Sequence, residues 1–188
     1  YHDVRMKEPQ AGVVTGLAWT SAGGEILFIE TSRIRGDGKV TITGQLGDVM
    51  KESVQIAMTL VKSMFPNEAE KLEESEIHIH VPAGAVPKDG PSAGITIVTA
   101  LTSMLLNKEV SPEIAMTGEV SLRGGVMPIG GLPEKLMAAQ RAGIKTVFIP
   151  YDNREDLEDV AEEVKAELTI IPVKRVEEVL QKTGLTAE

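Results

Sequence analysis

Two side chains in this sequence have the types and settings of a nucleophile and its base. Ser92 ends a loop of small residues, Pro87-Lys88-Asp89-Gly90-Pro91-Ser92-Ala93-Gly94, that runs directly into an apolar stretch. The spacing predicts a helix over about 92–106, with Ser92 at its N-terminus. There the unpaired backbone N–H groups and the positive end of the helix dipole stabilise negative charge, as the oxyanion of an acyl transfer requires. Ala93 and Gly94 are small enough to let a substrate carbonyl come close. By position alone, the commoner use of such a serine is as a helix N-cap. Gly90-Pro91-Ser92-Ala93-Gly94 also fits the G-x-S-x-G elbow. That elbow works with a histidine later in the chain, and the histidines here are His2, His78 and His80. An α/β-hydrolase triad is therefore rejected.

A serine hydroxyl needs a group to take its proton. Lysine does so when desolvation lowers its pKa from ~10.4 toward neutrality. Lys135 falls on a helix expected over 133–142, where Leu132, Ala138, Ala139 and Ala142 form an apolar stripe of mostly small residues on one face. Lys71 and Lys165, by contrast, stand among carboxylates. Taken singly, Lys135 also suits a surface lysine with its amine in water, and Glu134 beside it would keep it charged. His78 and His80 share one face of a strand over 76–81 and invite a metal site. The chain has no cysteine, no H-E-x-x-H and no third ligand marked by spacing. A polar strand face, or a lining of the cleft just upstream of the serine loop, is the simpler reading. His80 as the base of a Ser-His-Asp triad is the nearest catalytic alternative.

The elements that must hold these residues alternate throughout. Strands are expected from 13 to 19 and 26 to 29 around a Gly23-Gly24 turn, and again over 40–43. A long amphipathic helix carries Leu46, Val49, Met50, Ala57, Leu60, Val61 and Met64 at helical spacing and ends at Pro66. Short strands over 114–117 and 120–122 follow the serine helix. Pro133 and Gly143 bracket the lysine helix as start and stop. A buried strand over 146–149 leads to an acidic helix capped by Asp152 or Asn153. A strand over 168–173 and a helix over 176–182 complete the chain. Strand and helix mix without repeat or long linker, so the class is α/β, or mixed α+β, in one compact domain.

Composition narrows the function. The 188 residues are 42% hydrophobic and 3% aromatic with no cysteine, so disulfides, thiolate zinc and cysteine nucleophiles are excluded. A net charge of −9 speaks against nucleic acid as a partner of this domain. No stretch approaches the ~20 apolar residues of a membrane span. There is no G-x-x-x-x-G-K-[ST] phosphate loop and no G-x-G-x-x-G, so the chain is not expected to bind a nucleotide itself. The start, without Met or an apolar signal region, reads as a fragment or processed product. Residues 1–11 read as a linker remnant and 12–188 as the domain.

The segment from Pro87 to Gly94 resembles the catalytic-serine signature of the Lon peptidase family in its bacterial and mitochondrial form. Thr117-Gly118-Glu119-Val120-Ser121-Leu122-Arg123-Gly124 and Pro128-Ile129-Gly130-Gly131-Leu132-Pro133-Glu134-Lys135 are similar to the family's segments leading to its catalytic lysine. Gly16-Leu17-Ala18-Trp19-Thr20 and Lys145-Thr146-Val147-Phe148-Ile149-Pro150 follow the same order. The likeness runs from about Gly12 to about Leu180. It implies a Lon-type peptidase fold, neither chymotrypsin-like nor α/β-hydrolase. It further implies Ser92 as nucleophile, Lys135 as general base and acid, Thr117 orienting the amine, and backbone N–H groups around Ser92 and Ala93 as the oxyanion site. Glu30, His80 and Asp89 match positions near the family's cleft and take supporting roles. The resemblance implies unfolded or damaged proteins as substrates, a homohexameric ring, and delivery by an ATPase module that binds ATP with Mg and lies outside this chain. No cofactor or metal belongs to this chain itself. It also implies a bacterial cytoplasmic protein, with the mitochondrial matrix as the alternative. A Lon-like domain kept as a ring-forming binding module, with weak hydrolysis or none, is the rival from another class.

Overall fold

The computed structural model describes residues 8–82 and 90–187. β1 (Val13–Thr20) and β2 (Gly23–Arg35) make an antiparallel hairpin in which Val13 pairs with Glu30 and Thr20 with Gly23. The turn is Ser21-Ala22, just ahead of the expected Gly23-Gly24. Gly23 takes a φ of 115°, while Gly24 already lies in β2. Gly24 lacks a side chain for a different reason: a Cβ there would run into the carbonyl of Glu134. β2 also continues well past the apolar run at 26–29. Its polar second half is held by pairing with β4 (Ser75–His80), Glu30 opposite His80 and Arg35 opposite Ser75.

β3 (Val40–Thr43) lies parallel to β4 at the sheet edge. α1 (Asp48–Met64) buries Met50, Val54, Ala57, Leu60 and Val61 along one face. Pro66 does not simply end it; it opens a short α2 (Pro66–Ala69) and a 3-10 turn over Glu70–Glu74. Proline suits a first helical turn because its missing N–H would be unpaired there anyway.

α3 (Gly94–Leu106) is the central helix, and every residue from Gly94 to Ser103 is buried. Its hydroxyls fit because Thr99 and Thr102 donate back to the carbonyls of Ile95 and Val98, each at 2.8 Å. The helix starts after Ser92, not at it, and Ala93 occupies the N-cap with no side-chain cap. The Ser92 hydroxyl is therefore free of the capping role that its position suggested.

β5 (Ile114–Met116) joins β1 in parallel at Thr15 and Gly16 only. β6 (Glu119–Val120) and β7 (Val126–Met127) form a separate two-stranded hairpin. α4 (Leu132–Arg141), β8 (Thr146–Pro150), a 3-10 stretch over Tyr151–Asp159, α5 (Glu162–Glu167), β9 (Thr169–Val173) and α6 (Val176–Lys182) complete the described chain. The main sheet has the order β3-β4-β2-β1-β5-β8-β9, a mixed seven-stranded sheet. One face packs on α1 and α3 through Val14, Ile29, Ile97 and Leu101. The other packs on α4 through Leu17, Ile26, Leu136 and Ile149. The expected mixed α/β class is what the chain adopts.

A further local expectation fails. Neither Asp152 nor Asn153 caps a helix: the stretch after β8 is 3-10, Pro150 precedes it, and α5 begins only at Glu162. Asn153 is buried instead. Among the described residues, no helix is long and apolar enough to cross a membrane.

Candidate active site

α4 is amphipathic, and its buried stripe of Leu132, Leu136 and Ala139 takes Lys135 with it. The close approach that Gly24 permits draws the first turn of α4 against β2. Lys135 is left 2% exposed, more deeply buried than its setting in the sequence implied. Its Nζ donates to Thr117 Oγ1 at 3.1 Å. Among the described residues no carboxylate pairs with it, Glu134 included. Burial without a counter-charge disfavours the ammonium and pushes the Lys135 pKa down from 10.5 to about 8.

Ser92 lines the same cleft as Lys135, a hollow of about 390 Å³ bounded also by Ala18, Trp19 and Thr20 of β1, by Ala93, and by Pro128, Ile129 and Gly130. Its main chain is tied to the strand end that carries Thr117: Gly118 N donates to Ser92 O at 2.9 Å, and Ile95 N donates to Gly118 O at 3.0 Å. Thr117 itself continues the β5–β8 pairing through its N–H to Phe148 O at 3.1 Å. Ser92, Thr117 and Lys135 thus hang on one braced junction. Among the described residues, the N–H groups of Ser92 and Ala93 enter no hydrogen bond. Gly94 serves packing rather than the cleft, since a Cβ there would press on Val120 of β6 at 3.0 Å.

His80 and Glu30 lie elsewhere. They are cross-strand partners and line a second hollow of about 380 Å³ with His78, sharing no lining residue with the Ser92 cleft. The expectation that the histidines line the serine's cleft is not met. His78 Nε2 and His80 Nδ1 each bond Thr43 Oγ1, at 2.8 and 2.7 Å. Among the described residues no group of three His, Asp or Glu is arranged to hold a metal. Asp89 lies outside the described residues.

Two further residues shape the cleft. Trp19 is 58% exposed, and its ring covers Gly131, whose φ of +73° and missing side chain make room for it. The signal was there: it is the sole tryptophan and alternates with Leu17, so one strand face continues from core to cleft. Asn153 fixes a cleft wall from 24 residues away in the chain, and no local pattern announces that.

Past Gly16, β1 has β2 on one side and, among the described residues, no strand on the other, and Ala18 to Thr20 face the cleft. Among the described residues the site therefore combines a hydroxyl, an amine favoured in its neutral form, N–H groups without a partner and an open strand edge. That combination suits attack on an amide carbonyl of an extended chain.

The family model described as Lon protease (S16) C-terminal proteolytic domain matches residues 1–186. The chain is similar to Lon protease of Clostridium beijerinckii, 59% identical over 97% of this chain and 23% of that protein. It is similar to Lon protease of Methanosarcina barkeri, 57% identical over 94% of this chain and 22% of that protein. It is also similar to Lon protease of Escherichia coli K12, 56% identical over 92% of this chain and 22% of that protein. The chain thus spans less than a quarter of the length of the curated relatives it matches.

Proposed function

Because the chain belongs to the Lon protease C-terminal proteolytic domain family, a family of serine peptidases, we propose that it hydrolyses peptide bonds with Ser92 as nucleophile and Lys135 as general base and acid. An extended peptide adds to the open edge of β1, the usual way an unpaired strand edge takes a chain. Neutral Lys135 Nζ accepts the Ser92 proton as Oγ attacks the scissile carbonyl carbon. The oxyanion receives hydrogen bonds from the N–H groups of Ser92 and Ala93. Collapse of the tetrahedral intermediate breaks the C–N bond, and the Lys135 ammonium gives its proton to the departing amine. A water then attacks the acyl-serine with Lys135 again as base, restoring the hydroxyl. Thr117 accepts one N–H of the amine and so turns its lone pair toward Ser92.

The observation that carries this reading is the setting of Lys135: buried, with no carboxylate partner among the described residues, bonded to a hydroxyl and in one cleft with Ser92. Its pKa of about 8 leaves roughly a tenth of the amine neutral at pH 7. Turnover therefore rises with pH to a plateau above about 8.

The wider protein is part of the same proposal, supported by the family and by how little of each relative this chain covers. Its substrates are unfolded or damaged proteins, its assembly a homohexameric ring, and its place the cytoplasm. The 188 residues contain no phosphate loop, so ATP with Mg is assigned outside them and no step here runs through it. The test is cleavage of a fluorogenic unstructured peptide without ATP, beside Ser92→Ala. Turnover should fall at least about 10³-fold in the variant. Well-folded wild-type chain with no turnover would favour the ring-forming binding module instead.

A further inference from the structure

One wall of the cleft, Pro128 to Gly130, belongs to no helix or strand. It leaves β7 at Met127 and enters α4 at Leu132. The β6–β7 hairpin before it has two residues in each strand, and a hairpin that small holds little by itself. The wall is held by Asn153, in the 3-10 stretch that follows β8.

Asn153 is 3% exposed and bonds both main-chain groups of Ile129. Its Oδ1 accepts from Ile129 N–H at 2.9 Å, and its Nδ2 donates to Ile129 C=O at 2.9 Å. The side-chain amide pairs with the chain as a neighbouring strand would. Nδ2 also donates to Asp156 Oδ2 at 2.7 Å. A carboxylate only accepts, so Asp156 fixes which end of the amide faces it, and both amide donors are used. Three bonds on a buried side chain exceed what a 3-10 turn requires, and the turn takes no side-chain cap.

We infer that Asn153 is a positioning residue for the peptide-binding cleft. By clamping Ile129 it sets the spacing between this wall and the open edge of β1, and so the seating of an extended peptide before Ser92 attacks. The inference rests on the peptidase reading above and adds to it a residue that hydrogen-bonds neither Ser92 nor Lys135.

The test uses the 188-residue chain and Asn153→Asp, which keeps size but sets an oxygen against both Ile129 C=O and the Asp156 carboxylate. The peptide KM should rise about tenfold or more while kcat stays within about threefold. A small sulfonyl fluoride needs the serine and its base but not the wall, so its rate of labelling Ser92 should stay within about twofold. The pH dependence of turnover should not move. Pairing Asn153→Asp with Asp156→Asn removes the charge repulsion but still leaves an oxygen against Ile129 C=O, so the KM should stay raised about tenfold. Should Asn153→Asp fail to fold, the paired variant carries the same comparison with wild type. A lower melting temperature with unchanged KM would overturn the inference. So would labelling that falls in step with turnover, because Asn153 would then act on the dyad or the whole fold. Wild-type chain that neither labels nor cleaves would remove the peptidase reading first, and this inference with it.

Discussion

Two hollows of nearly equal volume, about 390 and 380 Å³, each collect side chains able to do acid–base chemistry. In one, Lys135 is buried, its only partner among the described residues is a hydroxyl, and Ser92 shares its cleft. In the other, Glu30 is exposed and both histidines spend a ring nitrogen on Thr43. The first pays for an uncompensated amine with folding stability and gains a base that is partly neutral near physiological pH. The second keeps its polar groups hydrated or bonded, as an ordinary polar strand face does. Reactivity follows desolvation, not the count of titratable residues.

Lys135→Met breaks the comparison most sharply. Turnover should be lost, yet the protein should be more stable at pH 7 by up to roughly 3 kcal/mol, the free-energy equivalent of a pKa of about 8 against 10.5. The sign follows from proton counts. Between about pH 8 and 10.5 the unfolded lysine holds a proton that the folded one has released, so wild-type stability rises with pH there. Below about pH 8 the full penalty stands. Urea unfolding at pH 7 and at pH 10 should thus show a large gain for the variant at the lower pH and a small one at the higher. Equal gains would mean that Lys135 is not desolvated as described.

Thr117→Val keeps the shape and removes the acceptor of the Lys135 amine. We expect kcat to fall about 10- to 100-fold with peptide KM little changed, because the base is still present but no longer aimed. Steady-state kinetics on the fluorogenic peptide decide it, and an unchanged kcat would show the bond to be incidental.

His80→Ala is the smallest expected effect. It should leave peptide turnover within about threefold, since the second hollow shares no lining residue with the first. Turnover abolished by His80→Ala and kept by Lys135→Ala would transfer the base role to the other hollow and end the Ser-Lys reading.

How much of this was readable in advance differs element by element. The stripe of α4 could be read from Leu132, Ala138 and Ala139, because helix periodicity is local. The start of α3 was misjudged by two residues, because a serine before an apolar run looks like a cap whether or not it caps. The 3-10 stretch after β8 was read as a capped helix for the same reason: acidic residues and Asn are common to both. Nothing near Asn153 names Ile129 as its partner.

By itself the sequence determined the mixed α/β class, the family to which the chain belongs, and the two residue types that can act together. Those depend on periodicity and on motifs, which are properties of neighbours along the chain. Only the tertiary structure decided that Lys135 shares a cleft with Ser92, that the histidines line another, and that Asn153 braces the Ile129 wall of the first. Desolvation and hydrogen-bond partnership are set by groups brought together from distant parts of the chain. They exist only once the sheet and the helices on its two faces have closed around them.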